Sequence, residues 1–166
     1  MKRLILVLFL VMFLMGCNQI PNIPVSEGPY INENYDYTIT PPPGWLIAEA
    51  GPAVTFLPNE GMPQIIIAVL DTDVALLDVV EEEKERLSDA NIMVGALLTQ
   101  ESPLQVNSLS AYSMKYTYKL GYDLKAEEII IVQNNYFYGI TFQDKVENFD
   151  SNYHFFADSL FTFELI

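Results

Sequence analysis

The sequence predicts an α+β domain in which a mainly antiparallel β-sheet is covered by helices on both faces. Three observations lead to this fold class. Several short segments are continuously apolar, as strands are when both of their faces are buried. Two longer segments instead have apolar residues at the helical period. The chain of 166 residues has no internal repeat, and about 130 residues suffice for one self-sufficient core, so we expect a single layered domain.

The first half of this domain is predicted to consist of strands that proline and glycine separate. Four strands are expected, over residues 35–39, 45–48, 53–57 and 64–70. The first strand stops at Pro41-Pro42-Pro43-Gly44, and Trp45 directly after this run is expected to be a core anchor. The fourth strand is apolar after its first residue, which is typical of a central strand covered on both faces.

A helix is predicted where the period changes, between Asp73 and Ser88. Asp71, Thr72 or Asp73 is expected to cap its N-terminus. Lys84 falls within the apolar stripe, so we expect its stem to pack while its amine stays in water. The predicted stripe consists of Leu76, Leu77, Val80, Lys84 and Leu87.

The second half of the domain returns to strands and closes with a helix and a strand. Extended pieces over 93–101 and 104–107 flank Ser102-Pro103, and residues 112–119 alternate with a period of two. Residues 126–133 and 136–142 are expected to form a hairpin, because Asn134-Asn135 tolerates the positive φ of a tight turn. A helix over 148–159 precedes a last strand over 161–165. The helix is predicted to place on one side Phe149, Tyr153, Phe156 and Leu160.

The N-terminus has the features of an export signal. Lys2 and Arg3 precede an unbroken apolar run over residues 4–15. As a helix this run would span about 18 Å, whereas the hydrocarbon core of a bilayer is about 30 Å thick. The run is therefore too short to span a membrane stably and matches the apolar region of a signal peptide.

The residues Leu14, Met15, Gly16 and Cys17 resemble the lipobox of prokaryotic lipoproteins, with Met15 at its variable position. This resemblance implies a diacylglycerol on the sulfur of Cys17 and cleavage just before it, so residues 1–16 are the expected lipoprotein signal peptide. Two acyl chains hold a protein on a membrane durably. The alternative is an uncleaved anchor in which the cysteine stands at this position by chance.

Residues 17–33 are predicted to be the lipidated cysteine and a tether, because Pro21, Pro24, Gly28 and Pro29 interrupt any period. The alternative is an ordered arm that packs on the domain, which we expect over residues 34–166. Removal of Lys2 and Arg3 leaves six basic residues against 22 acidic ones. Charge therefore cannot hold the mature chain on an anionic membrane, and the lipid must do so.

The order of the predicted elements resembles the PsbP-like family, named for an extrinsic subunit of photosystem II. The resemblance rests on the strand 37–39 running into Pro43-Gly44-Trp45, on the long helix after the apolar strand at Ile65, and on the hairpin around Asn134-Asn135. It also includes the closing helix and strand over 156–163. It implies an α/β/α sandwich, and it implies little about activity.

The composition argues against several classes of function. A formal net charge of −14 repels phosphate backbones, so nucleic-acid binding is disfavoured. One cysteine excludes an internal disulfide framework and a zinc site of several thiolates, and one histidine argues against His-rich metal and triad chemistry. The sequence has no glycine-rich phosphate loop and no dinucleotide fingerprint, so we expect no cofactor.

Three groups of residues are weak candidates for a site. Asp150, His154 and Asp158 share one helix face, which fits either a general base or a solvent-facing histidine with charged neighbours. Asp71, Asp73 and Glu82 fall at calcium-loop positions, although Ala75 and Leu76 break the pattern. The tyrosines favour cross-strand packing, with a protein interface as the alternative. They are Tyr112, Tyr116, Tyr118, Tyr122, Tyr136 and Tyr138.

The sequence thus predicts a lipid-anchored lipoprotein of the cell envelope that faces the periplasm or the outside. Its domain is expected to be a non-enzymatic binding or assembly module that contacts another envelope protein. The alternative is an extracytoplasmic enzyme or enzyme subunit with a carboxylate site, which a pocket lined by acids of raised pKa would favour. Capture of a solute is a third option, although one domain lacks the two lobes of typical binding proteins.

Overall fold

The computed structural model describes residues 24–89 and 93–166, which form ten strands and two helices. The strands are β1 (Tyr30–Asn32), β2 (Tyr37–Ile39), β3 (Leu46–Ala50), β4 (Ala53–Leu57), β5 (Gln64–Asp71), β6 (Leu97–Val106), β7 (Leu109–Lys119), β8 (Asp123–Gln133), β9 (Tyr136–Lys145) and β10 (Glu164–Leu165). Helix α1 (Leu76–Ser88) follows β5, and helix α2 (Phe149–Leu160) follows β9.

The strands form one large and one small sheet. Seven strands make the large sheet in the order β3-β4-β5-β9-β8-β7-β6, and three make the small sheet in the order β1-β2-β10. All neighbouring strands run antiparallel. The described residues therefore confirm the predicted sheet-rich, antiparallel α+β fold with two helices.

The predicted hairpin of β8 and β9 is present, and it lies at the centre of the large sheet. Asn134 and Asn135 make its two-residue turn with φ values of 53° and 64°. Asparagine tolerates this left-handed backbone because its short polar side chain can form hydrogen bonds locally. Gln133 pairs with Tyr136 across the turn, and the register then continues to the pair Leu124 and Lys145.

Alternate residues of β8 belong to two different buried clusters. Ile129 and Ile131 pack in a cluster that includes Phe149 and Phe156 of α2. Ile130, in contrast, packs in a cluster with α1. Side chains of a strand point alternately to its two faces, so both faces of β8 are buried.

Helix α1 confirms the predicted element, but its cap and its buried stripe differ from the prediction. Ala75 is the N-cap residue, and its side chain makes no capping hydrogen bond. The hydroxyl of Thr72, one of the predicted caps, accepts a hydrogen bond from the amide of Val74, before the helix begins. Val79 and Glu83 are buried in addition to Val80 and Leu87, and Leu77 is 66% exposed. The buried face of the helix therefore includes Glu83, which pairs with Arg86 on the same helix, and Arg86 in turn pairs with Glu128 on β8.

Lys84 is only partly in water, because its amine bridges two carboxylates. Its Nζ lies 3.0 Å from Glu81 on the same helix and 2.6 Å from Glu101 on β6. The amine also lies over the ring of Tyr112, at 5.7 Å from the ring centre. The two ion partners of this amine were not predicted, and through Glu101 the cation links α1 to the edge of the sheet.

Helix α2 and the core anchor agree with the sequence prediction. Phe149 and Phe156 are buried, and Tyr153 and Leu160 pack partly buried against the same cluster. Trp45 is also buried and packs on Phe155, with 5.5 Å between ring centres.

Most predicted strands differ from the observed ones by a few residues at their ends, and two differ by more. The two extended pieces around Ser102-Pro103 are one strand, β6, with a bulge between Leu98 and Gln100. Pro103 is tolerated because β6 is an edge strand. The last strand is only Glu164–Leu165, since the amides of Phe161 and Thr162 still bind the carbonyl oxygens of α2.

The N-terminal part of the described chain is an ordered arm. The amide of Ile47 donates to the carbonyl of Pro24 at 2.8 Å, and the amide of Ser26 donates to that of Trp45 at 2.7 Å. Strand β1 then pairs with β2. Residues 24–32, which fall within the predicted tether, therefore follow the ordered-arm alternative. Residues 1–23 lie outside the described part of the chain.

Candidate functional site

The predicted lipobox lies outside the described residues. Leu14, Met15, Gly16 and Cys17 all precede Pro24, so their assignment stays a prediction. Among the described residues, neither helix is long and apolar enough to cross a bilayer.

The structure does not assemble a base around His154. Its Nδ1 lies 3.0 Å from the carbonyl oxygen of Ser151, and its ring stacks on Phe155 with 4.0 Å between ring centres. Asp150 pairs instead with Lys125, at 2.7 Å. His154, Asp150 and Asp158 are all exposed, which fits a solvent-facing histidine with charged neighbours.

The residues at calcium-loop positions do not converge. Asp71 ends β5, whereas Glu82 lies on the exposed side of α1. Within residues 24–89 and 93–166, no group of three or more His, Cys, Asp or Glu side chains is placed to hold a metal ion.

Most of the candidate tyrosines belong to the core. Tyr116, Tyr118 and Tyr138 are buried, and Tyr112 and Tyr136 pack partly buried against the two clusters. Tyr122 differs, since it is 46% exposed. The core interpretation therefore holds for five of these six residues, and Tyr122 alone among them is available to an interface.

Four exposed apolar side chains gather at one end of the large sheet. We call them the end patch: Val94, Leu97, Tyr122 and Val146, whose exposed fractions are 63%, 63%, 46% and 43%. Hydrogen bonds bring their segments together, since the amide of Lys119 donates to Val94 at 3.1 Å and that of Val146 to Asp123 at 3.2 Å. Leu97 is the register partner of Thr117.

The end patch adjoins a pocket of about 380 Å³. The pocket is lined by Gly95, Thr117, Tyr118, Lys119, Asp123, Val146 and Glu147. Lys119 and Asp123 pair across its rim at 3.4 Å, and Lys145 lies 5.6 Å from the ring centre of Tyr122. Exposed apolar side chains with a polar rim are typical of surfaces that bind another molecule.

A second pocket, of about 300 Å³, lies beside the small sheet. The hydroxyl of Tyr30 donates to Glu49 at 2.8 Å, and the side-chain oxygen of Asn32 accepts from the amides of Asn34 and Tyr35. Burial and the neighbouring Glu49 raise the pKa of Tyr30 to about 12. The polar groups of this pocket thus serve the fold itself.

A buried ionic cluster beneath α1 was not predicted. Arg86 forms ion pairs with Glu83 on its own helix and with Glu128 on β8, the latter at 3.2 Å. The sequence gives two signals of this cluster. Acidic residues stand at positions 127 and 128 within an otherwise apolar strand, and an arginine lies within a predicted helix. Neither signal identifies the partner, because Arg86 and Glu128 are 42 residues apart.

A second buried carboxylate lies on the opposite face of the same strand. Glu127 accepts a hydrogen bond from the hydroxyl of Ser113 at 2.6 Å, and Lys115 Nζ lies 3.4 Å from its other oxygen. Burial and Glu127 together raise the pKa of Tyr153 on α2. One strand therefore carries adjacent buried acids, each with a cation.

The fold is similar to that of cyanobacterial PsbP (CyanoP) from Synechocystis sp. PCC 6803. The two structures agree with a TM-score of 0.66 and 12% identity, over 90% of this chain and 98% of that one. The chain has a PsbP-like fold. No family model and no curated protein matches it.

Two further solved structures share this PsbP-like fold. The Ran-binding protein Mog1p of Saccharomyces cerevisiae has a TM-score of 0.61 and 12% identity, over 86% of this chain and 96% of its own. LpqN of Mycobacterium tuberculosis is involved in cell envelope biogenesis. Its structure has a TM-score of 0.50 and 12% identity, over 91% of this chain and 87% of its own. At this identity the comparisons establish the fold alone.

Proposed function

We propose that the chain is a lipid-anchored, extracytoplasmic lipoprotein whose non-enzymatic PsbP-like domain binds another protein of the cell envelope. Residues 1–16 are the signal peptide, lipid on Cys17 is the anchor, and residues 17–23 form a short tether. The observation that carries the binding role is the end patch, where four exposed apolar side chains lie beside a pocket that one of them, Val146, lines.

The domain in this proposal is an α/β/α sandwich with α1 and α2 on opposite faces of the large sheet. The alternation along β8 supports this arrangement, since Ile129 and Ile131 pack with α2 while Ile130 packs with α1. Both helices then bury one face of the sheet each, which leaves the ends of the strands as the accessible surfaces.

The position of the ordered arm supports a partner close to the membrane. Pro24 is fixed on β3, and the seven Cα–Cα steps from Cys17 to Pro24 span at most about 25 Å when extended. The end patch lies three to six strands from β3, which is about 15–30 Å at the usual strand spacing. The anchor would therefore keep the patch within about 50–60 Å of the bilayer surface.

The similar structures support this role in general terms. Mog1p is a Ran-binding protein, which is a precedent for protein binding by this fold, and LpqN is involved in cell envelope biogenesis. Neither partner is transferred to this chain. An acidic surface with a formal net charge of −14 also favours a protein partner over nucleic acid.

The alternative function is an extracytoplasmic enzyme or enzyme subunit with a carboxylate site. The raised pKa of Glu128 favours it. However, Glu128 is buried beneath α1 and lines neither of the two pockets described above. The binding role therefore has the stronger support.

Crosslinking from the end patch tests the proposed function. A photo-crosslinking amino acid at Val146 of the full-length anchored chain is expected to form a crosslink with one envelope protein. Leu97→Glu places a charge in the patch and should reduce this crosslink at least about tenfold, because a buried unpaired charge is costly at an interface.

Leu77→Glu is the matched control for this experiment. Leu77 is 66% exposed on α1, close to the 63% of Leu97, so the same substitution is made at equal exposure outside the patch. The control should leave the crosslink unchanged. An equal loss in both variants, or no loss with Leu97→Glu, would contradict the assignment of the patch.

A further inference from the structure

Helix α1 is attached to the large sheet through three buried charged side chains. Arg86 pairs with Glu83 and, at 3.2 Å, with Glu128, and the exposed fractions of the three side chains are only 10%, 8% and 5%. Nη1 of Arg86 also lies 3.3 Å from the sulfur of Met93. One guanidinium therefore connects α1, β8 and the segment that leads to the end patch.

The sheet provides space for the carboxylate at the position of Gly139. A Cβ atom there would lie 3.2 Å from Oε1 of Glu128 and 2.8 Å from the ring of Phe137. Glycine thus lets the carboxylate approach the backbone of β9 closely. The Glu128 side chain is only 5% exposed, so little water reaches its carboxylate.

The charges in the cluster do not balance when both acids are ionised. The titratable groups that face Glu128 are Glu83 and Arg86 on α1 and Tyr116 on β7, while its register partner on β9 is Thr141, which does not titrate. Burial raises the pKa of Tyr116 well above its usual value, so this phenol stays neutral. Two carboxylates therefore share one cation.

Burial, and then repulsion by Glu83, raise the pKa of Glu128 to about 7, although Arg86 and the Tyr116 hydroxyl act in the opposite direction. Burial by itself lowers the pKa of Arg86, but the two carboxylates raise it overall, so the guanidinium stays charged. Below neutral pH the cluster is then a single buried ion pair with a neutral acid beside it. Above neutral pH it carries one excess negative charge.

We propose that Glu83, Arg86 and Glu128 form a pH-sensitive clasp, which holds α1 and residues 93–97 on the sheet while Glu128 is protonated and loosens them when it is ionised. The folded state binds the proton of Glu128 more tightly than the open state does. The contribution of protonated Glu128 to the stability of the closed state is therefore complete below the ordinary carboxyl pKa of about 4.5. This contribution is lost as the pH rises through about 7.

The clasp has a consequence for the end patch, and this consequence rests on the proposed function. Met93, held by Arg86, directly precedes Val94, and Leu97 follows at the start of β6. Loosening of this segment would disturb two of the four residues of the patch. In an extracytoplasmic protein the surrounding pH varies, so partner binding would be stronger in mildly acidic conditions.

Amide hydrogen exchange tests the clasp without any partner. The measured quantity is the protection of amides in α1 and residues 93–97, corrected for intrinsic exchange rates. In the wild-type protein this protection should fall by up to about 100-fold as the pH rises from 5 to 8.5. In Glu128→Gln the protection should stay constant, because the amide is neutral at every pH. Unchanged pH dependence in this variant would overturn the proposal.

Glu127→Gln is the matched control, since Glu127 is equally buried on the other face of the same strand. It should keep the wild-type pH dependence in α1. A carbon-13 titration of the Glu128 carboxyl in the wild-type protein gives a second measurement that needs no variant. A midpoint near 7 supports the clasp, and a midpoint below 5 overturns it.

The clasp and the proposed function fail separately. Loss of pH-dependent exchange leaves crosslinking from Val146 intact as evidence for the end patch. Conversely, absence of a crosslink leaves the exchange result valid, because it depends only on residues of the domain.

Discussion

Gly139 shows how one residue on a central strand determines what its neighbours can do. A side chain at this position would meet the buried ring of Phe137 and the carboxylate of Glu128. Glycine is otherwise unfavourable in a strand, because it costs conformational entropy and has no side chain to pack. Its presence in β9 is explained by the close approach of a buried acid.

Gly139→Ala is therefore expected to lower the free energy of unfolding by about 1–3 kcal/mol, since packed neighbours must shift to accept the added methyl group. Denaturant unfolding monitored by tryptophan fluorescence measures the change. Gly28→Ala is the control, because a Cβ at Gly28 meets no atom within 4 Å. If Gly139→Ala lowers the free energy of unfolding no more than Gly28→Ala does, the strand accommodates the methyl group and the prediction is wrong.

At the scale of one element, α1 shows why periodicity alone does not orient a helix. The apolar stripe in the sequence includes Leu77, but the structure exposes this residue and buries Glu83. The inward turn of Glu83 depends on Arg86 and Glu128. Helical bounds are a local property, whereas the buried face depends on what the helix meets.

Two leucines of α1 provide a direct test of its orientation. Leu87→Ala should cost about 2–5 kcal/mol of unfolding free energy, because Leu87 is 4% exposed and its loss leaves a cavity. Leu77→Ala should cost less than about 0.5 kcal/mol, as surface substitutions do. Chemical denaturation of both variants measures the difference. Equal costs at both positions would contradict the orientation of the helix.

At the scale of the whole molecule, the basic residues are compensated while acids remain in excess. Each of the six basic side chains in the described part of the chain has an acidic or aromatic partner: Lys84, Arg86, Lys115, Lys119, Lys125 and Lys145. The surface therefore offers little positive charge to anionic lipids. In the proposed function, attachment to a membrane therefore relies on the lipid on Cys17.

Metabolic labelling with a radioactive fatty acid tests this attachment. The wild-type chain should incorporate the label and fractionate with membranes. Cys17→Ser should lose the label completely, because Cys17 is the only cysteine, and should stay larger by the uncleaved signal peptide. An unlabelled wild-type chain, or a Cys17→Ser product of unchanged size in the cytosol, would exclude the lipoprotein assignment.

The local elements followed from the sequence because their causes lie within a few residues. Asn134-Asn135 specifies a tight turn, the apolar run in β5 specifies a central strand, and the spacing of Phe149, Tyr153 and Phe156 specifies α2. The ordered arm over residues 24–32 did not follow from the sequence, for the opposite reason. Its order comes from hydrogen bonds to β3, about twenty residues later in the chain.

By itself the sequence determined the class of fold, the two helices and the hairpin, since side-chain period and turn chemistry act over short distances. Only the tertiary structure decided which side of α1 is buried, that residues 24–32 pack as an arm, and that Val94, Leu97, Tyr122 and Val146 gather at one end of the sheet. It also decided that Arg86 meets Glu128. Contacts between distant residues depend on strand register and packing, which no local pattern in the chain specifies.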